Sequence, residues 1–193
     1  MGKRIMWTKQ HKNVWKLLRQ DGRYTAKKEY ILKDLGDEAY LVLEAYDWLV
    51  DHMPGSGNRP ADAEYPVWLS YSGETVRMTD PETVILKLSV DEALITPVNV
   101  IKWGKIMDYS YIPANEADAE RHRTLLADYR VSDVKAYMSQ FYPQIKREII
   151  ASWDRLFDDT ILLGNDLKYG LIWELREEWV LDVICLLYTS DAA

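Results

Sequence analysis

The sequence is poor in the residues that carry redox, metal and secretory chemistry. It has one cysteine, Cys185, and three histidines that lie far apart in the chain, His11, His52 and His122. One cysteine excludes a disulfide within this chain, and the histidine spacing does not match that of a metal site. No apolar run approaches the ~18 residues of a membrane helix. No apolar segment follows the first basic residues as in a secretory signal. We therefore expect a cytoplasmic protein with no metal and no membrane partner.

Phenylalanine is scarce and the larger amphipathic rings replace it. The chain has 2 Phe, but 8 Trp and 13 Tyr. Trp and Tyr bury a ring while keeping an N–H or O–H that needs a partner. A core built from them tends to reach the surface as clefts with polar edges. This composition favours a pocket without identifying its ligand.

Acidic residues are almost absent from the start of the chain. Residues 1–28 contain nine Lys and Arg and a single acid, Asp21, so this segment has a net charge of +8 and the rest of the chain −15. Two interpretations remain open. The basic segment marks a site for an anion, or it is a solvated helix face attracted to an acidic body. The overall charge of −7 argues against nucleic acid as a partner.

The last nine residues, 185–193, resemble the in-frame translation of a transposase adapter used in sequencing libraries. They read Cys-Leu-Leu-Tyr-Thr-Ser-Asp-Ala-Ala. We expect this tail to be artefactual, from a gene truncated at about residue 184, and to add nothing to the fold. The only cysteine, Cys185, would then disappear, and thiol chemistry with it.

The order of predicted elements is typical of an α+β fold. Alternating segments predict strands at 4–8, 65–71, 83–89, 171–175 and 179–183. Apolar stripes at helical spacing predict helices at 10–20, 37–52, 99–109 and 144–157. Since strands and helices do not alternate regularly, we expect one domain over residues 1–184, with a mostly antiparallel sheet and flanking helices. The polar stretch 114–142 is predicted to be helical and is interpreted as an insertion or lid.

One carboxylate stands out as a catalytic candidate. Glu174 lies in the apolar strand 171–175, where alternation places it on the face of Ile172 and opposite Trp173. A carboxylate there is either exposed or ion-paired, or it is held in a pocket that raises its pKa.

The binding candidates gather where the first strand meets the first helix. Thr8 either caps that helix or, with Gln10 and the first helical amides, binds an anion. Lys9 and Lys12 would add positive charge. Trp68 and Trp103 either pack in the core or stack on a planar ring. We expect Thr8, Gln10, Trp68, Trp103 and Glu174 to line one cleft.

Several motifs in one order resemble a known bacterial family. They include Trp7-Thr8-Lys9-Gln10, Tyr46-Asp47-Trp48-Leu49-Val50, Tyr65-Pro66-Val67-Trp68, Tyr111-Ile112-Pro113, Ser152-Trp153-Asp154-Arg155 and Trp173-Glu174-Leu175. Together, over about residues 5–183, they are similar to the family called domain of unknown function 3841. The chain departs from that pattern at Gly104, where the family has His, at Asp108, where it has Asn, and at Tyr169-Gly170, where it has Gln-Ala. If those family residues carry an activity, this member has lost or altered it.

Two functional hypotheses follow. A first strand with a polar end and a late strand carrying Glu174 resemble the layout of ADP-ribosyltransferase-like proteins, which implies a domain that handles NAD, another nucleotide or a phosphate-bearing small molecule. The usual first-strand His or Arg is replaced by Trp7 and Thr8. The alternative is a non-catalytic binding or interaction module that uses the basic first helix. Whether the chain is an enzyme stays open at this stage.

Overall fold

The computed structural model describes residues 2–55, 58–77 and 80–185. Within them the strands are β1 (Lys3–His11), β2 (Arg23–Tyr24), β3 (Val67–Ser70), β4 (Thr83–Asp91), β5 (Thr96–Asn99), β6 (Lys168–Ile172), β7 (Leu175–Arg176) and β8 (Val180–Cys185). The helices are α1 (Lys12–Asp21), α2 (Lys28–Leu35), α3 (Ala39–His52), α4 (Val100–Met107), α5 (Glu116–Tyr129), α6 (Asp133–Met138) and α7 (Pro143–Ser152). The fold is α+β, as the sequence predicts.

The main sheet has the strand order β5-β6-β3-β1-β4-β8, and β2 and β7 form a separate ribbon. The pairings of β1 with β3 and β4, of β3 with β6, and of β4 with β8 are all antiparallel. The described residues divide into two compact units. The first contains the described residues of 2–34, 58–96 and 169–185, and the second those of 35–55 and 97–168. The chain therefore passes between the units four times, at the end of α2, in the connection after α3, within β5 and at the start of β6.

The core of the first unit lies on one face of the sheet. Alternation along β1 and β4 sends Met6, Leu86 and Leu88 to this face, where they pack with Leu18 of α1. Trp15 of α1 is only partly buried, with the Arg19 guanidinium 5.8 Å from its ring centroid.

The boundaries of α1 show where sequence patterns mislead. Helix α1 was expected from residue 10 but begins at Lys12, because β1 continues through His11, which pairs with Thr83 of β4. The end of α1 is predicted correctly. Gly22 has φ 74°, and its N–H donates to the Leu18 carbonyl at 2.9 Å. A residue without Cβ is favoured at this left-handed position.

The second unit is helical around a cluster of aromatic rings. The apolar stripe of the helix predicted at 144–157 is confirmed. Ile145 and Ile149 of α7 are buried, as are Trp153 and Leu156 of the 3-10 helix that follows. Pro143 occupies the first helical position, where its missing N–H does no harm. Within residues 114–142, α5 and α6 contribute buried side chains to this unit, among them Ala136 and Tyr137.

A non-helical segment, residues 110–114, crosses the second unit and is called the strap below. Three of its backbone N–H groups donate to side chains of the surrounding helices. The Tyr111 N–H donates to Asp133 (3.0 Å), that of Ile112 to Ser152 (2.9 Å) and that of Ala114 to Asp118 (2.9 Å). The strap carbonyls accept in the same way, Ser110 from the Trp153 indole and Ile112 from Arg155. Side chains thus satisfy backbone groups that a helix or strand would pair internally.

Asp118 connects the strap to two arginines, and this predicts acid sensitivity. Burial opposes its ionisation, but hydrogen bonds from Ala114, Tyr111 and Arg121 and the charge of Arg155 outweigh burial and lower the pKa of the Asp118 carboxyl. A carboxyl with a lower pKa in the folded than in the unfolded state stabilises the fold above its unfolded pKa of about 3.9. That stabilisation is lost as the pH falls through the folded pKa.

We expect the urea midpoint to fall as the pH drops below about 4, and Asp118→Asn to show a smaller fall over the same range. The measurement is a urea unfolding series at several pH values for both proteins. Identical pH slopes in the two proteins would show that Asp118 does not contribute to the acid dependence.

The last described residue belongs to the sheet. Cys185 pairs with Val84 as the end of β8, one residue beyond the boundary at 184 that we expected from the sequence. The remainder of the predicted artefactual tail, 186–193, lies outside the described residues. No helix within the described part of the chain is long and apolar enough to cross a bilayer.

Candidate functional site

A cleft of about 290 Å³ opens on the face of the sheet opposite the core of the first unit. Three aromatic rings and two cationic side chains contribute to its lining. The lining residues are Trp7, Thr8, Lys9, Trp68, Leu69, Ser70, Thr75, Val76, Arg77 and Tyr169. It is called the Trp7 cleft below.

Strand register explains why these residues share one face. Trp7 of β1 lies opposite Ser70 of β3, and Ser70 lies opposite Tyr169 of β6. Trp68 lies two residues from Ser70 and so points the same way. The rings of Trp68 and Tyr169 meet edge to face, with centroids 5.7 Å apart. Three adjacent strands therefore supply the aromatic walls.

Thr8 joins two of these strands and does not cap α1. Its side chain is buried, and its hydroxyl donates to the Trp68 carbonyl at 2.8 Å and accepts from the Gln10 amide at 2.8 Å. The cap of α1 is His11, whose Nδ1 accepts from the Asn13 N–H. Of the two interpretations of Thr8, capping is therefore excluded. Gln10 supports the Thr8 hydroxyl but is not among the residues that line the cleft.

Two cations, Lys9 and Arg77, border the Trp7 cleft. Neither Lys9 nor Arg77 has an ion-pair partner among the residues that the structure describes. Lys12 differs, since it begins α1, lies 3.9 Å from Glu82 and does not line the cleft. Uncompensated positive charge beside aromatic walls attracts a ligand that carries both an anionic group and a planar ring.

The segment after β3 forms the rim of the cleft. Ser70 and Thr75 are joined through their hydroxyl oxygens at 2.5 Å, and the Thr75 hydroxyl donates to the Ser72 carbonyl. Gly73, between them, lies against the indole of Trp7. These contacts hold the residues that lead to Arg77.

Trp103 belongs to the second unit. It lies on α4, is 8% exposed and meets Tyr46 edge to face with centroids 5.6 Å apart. The plain packing interpretation of Trp103 fits these contacts. It is not among the residues that line the Trp7 cleft.

Glu174 also stands apart from the Trp7 cleft lining. We expected a continuous strand over 171–175, but the chain bends at Trp173 and Glu174, between β6 and β7. The Glu174 carboxylate, 14% exposed, accepts from Arg23 at 2.8 Å and from Arg176 at 2.7 Å. Asp62 holds the other side of Arg23 at 2.8 Å. The hydrogen bonds that Arg23 donates to Asp62 and Glu174 raise the pKa of its guanidinium.

This ion-pair network borders a second, more acidic pocket of about 400 Å³. Its lining comprises Asp21, Gly22, Arg23, Arg176, Glu177 and Glu178. Glu174 is not among these lining residues, and arginine engages both of its carboxylate oxygens. Within the described residues no group of three or more His, Cys, Asp or Glu side chains is arranged to hold a metal ion.

Sequence reasoning found Thr8, Lys9 and Trp68 but missed the other seven lining residues, among them Trp7, Arg77 and Tyr169. Alternation along β1 contained the signal for Trp7, since Trp7 and Lys9 share a face. Alternation along β6 likewise places Tyr169 and Leu171 on one face of the sheet. No local pattern marks Arg77, because it lies in a connection whose position depends on Trp7 and Ser70.

The family model for the domain of unknown function DUF3841 matches residues 5–181. The chain belongs to this family. No curated protein and no solved structure matches it. The match contains every lining residue of the Trp7 cleft and the whole strap, so both features lie in the DUF3841 domain. The motif Tyr111-Ile112-Pro113 is the centre of the strap, and Ser152, Trp153 and Arg155 are three of its anchors.

Proposed function

We propose that the Trp7 cleft of this DUF3841 domain binds a small phosphate-bearing ligand with one planar ring, of the size of a mononucleotide. The observation that carries this proposal is the pairing of two uncompensated cations, Lys9 and Arg77, with aromatic walls in one cleft. Charge-assisted hydrogen bonds are the usual way in which Lys and Arg hold phosphate. Trp and Tyr faces stack on nucleobases without regard to their identity.

The volume of the cleft sets the class of ligand. Small-molecule pockets range from about 300 to 1,000 Å³, and the Trp7 cleft, at about 290 Å³, lies at the lower limit. A ligand with one ring and one phosphate suits this space better than NAD or ADP-ribose, which contain two sugars and two phosphates. The proposal therefore narrows the nucleotide hypothesis to its smaller members.

The proposal concerns binding, and Glu174 has no role in it. The Glu174 carboxylate accepts from two guanidinium groups and does not line the cleft. An ADP-ribosyl transfer site would need that carboxylate beside the bound ribose. Support for such a reaction would come from turnover that disappears in Glu174→Gln while ligand binding persists.

The test is calorimetry and thermal shift with AMP, adenosine, NAD and ADP-ribose at two salt concentrations. We expect AMP to stabilise the protein most, because it combines one ring with one phosphate. A ligand at 100 times its Kd raises the free energy of unfolding by about 2.7 kcal/mol. Added salt should weaken AMP binding and leave adenosine binding nearly unchanged. Absence of a response to AMP, GMP, CMP and UMP at millimolar concentration would end the proposal.

Two lysine variants, one on β1 beside the cleft and one on α1 away from it, provide a matched comparison. Lys9→Ala should weaken AMP binding about tenfold, since a hydrogen bond to a charged group contributes about 1.5–3 kcal/mol. Lys16→Ala removes the same charge from an exposed position on α1 that does not line the cleft, and should change the Kd less than twofold. Equal losses in the two variants would instead favour diffuse attraction to the basic first helix, the alternative function.

A further inference from the structure

The contact between Gly73 and Trp7 is too close for any side chain at position 73. A Cβ on Gly73 would lie 2.9 Å from Nε1 and 3.0 Å from Cε2 of the Trp7 indole. Gly73 is not among the residues with positive φ, so its backbone conformation alone does not require glycine. The requirement comes from the ring beneath it.

The turn that contains Gly73 is fixed at its other end by hydroxyl groups. Residues Gly73–Thr75 form a 3-10 turn, and the Ser72 hydroxyl accepts from the Glu74 N–H at its start. The Thr75 hydroxyl donates to the Ser72 carbonyl and is joined to Ser70 at the end of β3. The turn is therefore held between the end of β3 and the Trp7 indole.

Arg77 follows this turn by two residues, and the Val76 N–H donates to the Gly73 carbonyl. A displacement of the turn away from Trp7 is thus transmitted to Val76 and Arg77. Trp7 lies on β1, which pairs with β3 and β4, whereas the turn lies outside the sheet, so we expect a Cβ at position 73 to displace the turn. Lys9 and Trp68, on β1 and β3, are not moved with it.

We infer that Gly73 is a positioning residue that sets the place of Arg77, and so sets the preference of the cleft for phosphorylated over unphosphorylated ligands. This inference rests on the proposed function. Arg77 would contact the phosphate, whereas the rings of Trp7, Trp68 and Tyr169 would contact the base in both ligands. The ratio of the adenosine Kd to the AMP Kd then reports the position of Arg77, independently of how well the rings bind.

The experiment measures that ratio by calorimetry in the wild type, Gly73→Ala and Arg77→Ala. Gly73→Ala should lower the ratio about tenfold, as Arg77→Ala does, and should change the adenosine Kd less than threefold. The double variant Gly73→Ala/Trp7→Phe lacks the indole atoms that clash with the new Cβ. Its ratio of adenosine Kd to AMP Kd should return part of the way to the wild-type value. Such recovery is the non-additivity that two contacting residues show.

The outcomes separate the two proposals. A wild-type ratio in Gly73→Ala, with the ratio lost in Arg77→Ala, overturns this inference and leaves the proposed function standing. Failure of the wild type to bind either probe overturns both. If Gly73→Ala does not fold by circular dichroism, Thr75→Val releases the other anchor of the same turn. It must then lower the ratio at least threefold, and an unchanged ratio overturns the inference.

Discussion

Replacing Trp153 by alanine is expected to destabilise the protein by about 3–5 kcal/mol, the range for a large buried aromatic. Trp153 is 1% exposed and contacts Tyr137, Tyr109 and Trp48, with ring centroids between 5.6 and 6.5 Å away. Its indole N–H also donates to the Ser110 carbonyl at 3.0 Å. The variant therefore leaves a cavity among rings and an unsatisfied strap carbonyl, two effects that add.

Urea unfolding followed by circular dichroism measures this loss. Phe141→Ala is the matched control, because Phe141 is 79% exposed in the same unit and its truncation should change stability by less than about 0.5 kcal/mol. Trp153→Phe separates the two effects, since it keeps most of the ring packing but removes the indole donor. A loss below about 1 kcal/mol in Trp153→Ala would contradict the buried position of this side chain.

Removing the carboxylate of Glu174 should produce the next largest loss of stability, about 1–3 kcal/mol in Glu174→Ala. Glu174 is mostly buried and accepts from Arg23 and Arg176, both of which would lose a close partner. The loss stays below the value for a fully buried pair because both arginines are about half exposed. Stability should fall, while AMP affinity at the Trp7 cleft stays within twofold of wild type.

Glu178→Ala is the control for the Glu174 variant, since Glu178 is exposed and lies 3.9 Å from Arg176. Its effect should be below about 0.5 kcal/mol. Should the Glu174 and Glu178 variants be equally stable, the ion pairs of Glu174 with Arg23 and Arg176 would not contribute to the stability of the fold. Should Glu174→Ala abolish AMP binding, Glu174 would have to be returned to the ligand site.

The parts of the fold that were predictable from the sequence are those set by local patterns. The stripe from Ile145 to Leu156 and the left-handed cap at Gly22 each depend on neighbours within a few residues. The end of β1 was not predictable in this way. Residues 9–11 are polar and resemble a helix start, yet they extend the strand because Thr83–Ile85 of β4 lie opposite them.

The candidate site was predicted in part for the same reason. Thr8 and Trp68 are brought together by adjacent strands, and the sequence pattern already placed both on strand segments. Lys9 joins them because β1 continues to His11, beyond the predicted end of that strand at Thr8. Glu174 was assigned to the same cleft because strands near both ends of a chain commonly meet in such a sheet. The chain instead bends at Trp173, and Glu174 pairs with Arg23 and Arg176. Arg77 could not have been found, because its position depends on a glycine lying against an indole 66 residues earlier in the chain.

The strap has a consequence for amide hydrogen exchange. A segment without helix or strand normally exchanges within seconds, because its amides face water. The amides of Tyr111, Ile112 and Ala114 instead donate to side chains of α6, α7 and α5. Each can exchange only when its helix moves away, so these three amides should be protected to the same degree as the helices themselves. Although the strap is neither helix nor strand, the exchange of its amides would thus report the opening of the helical unit.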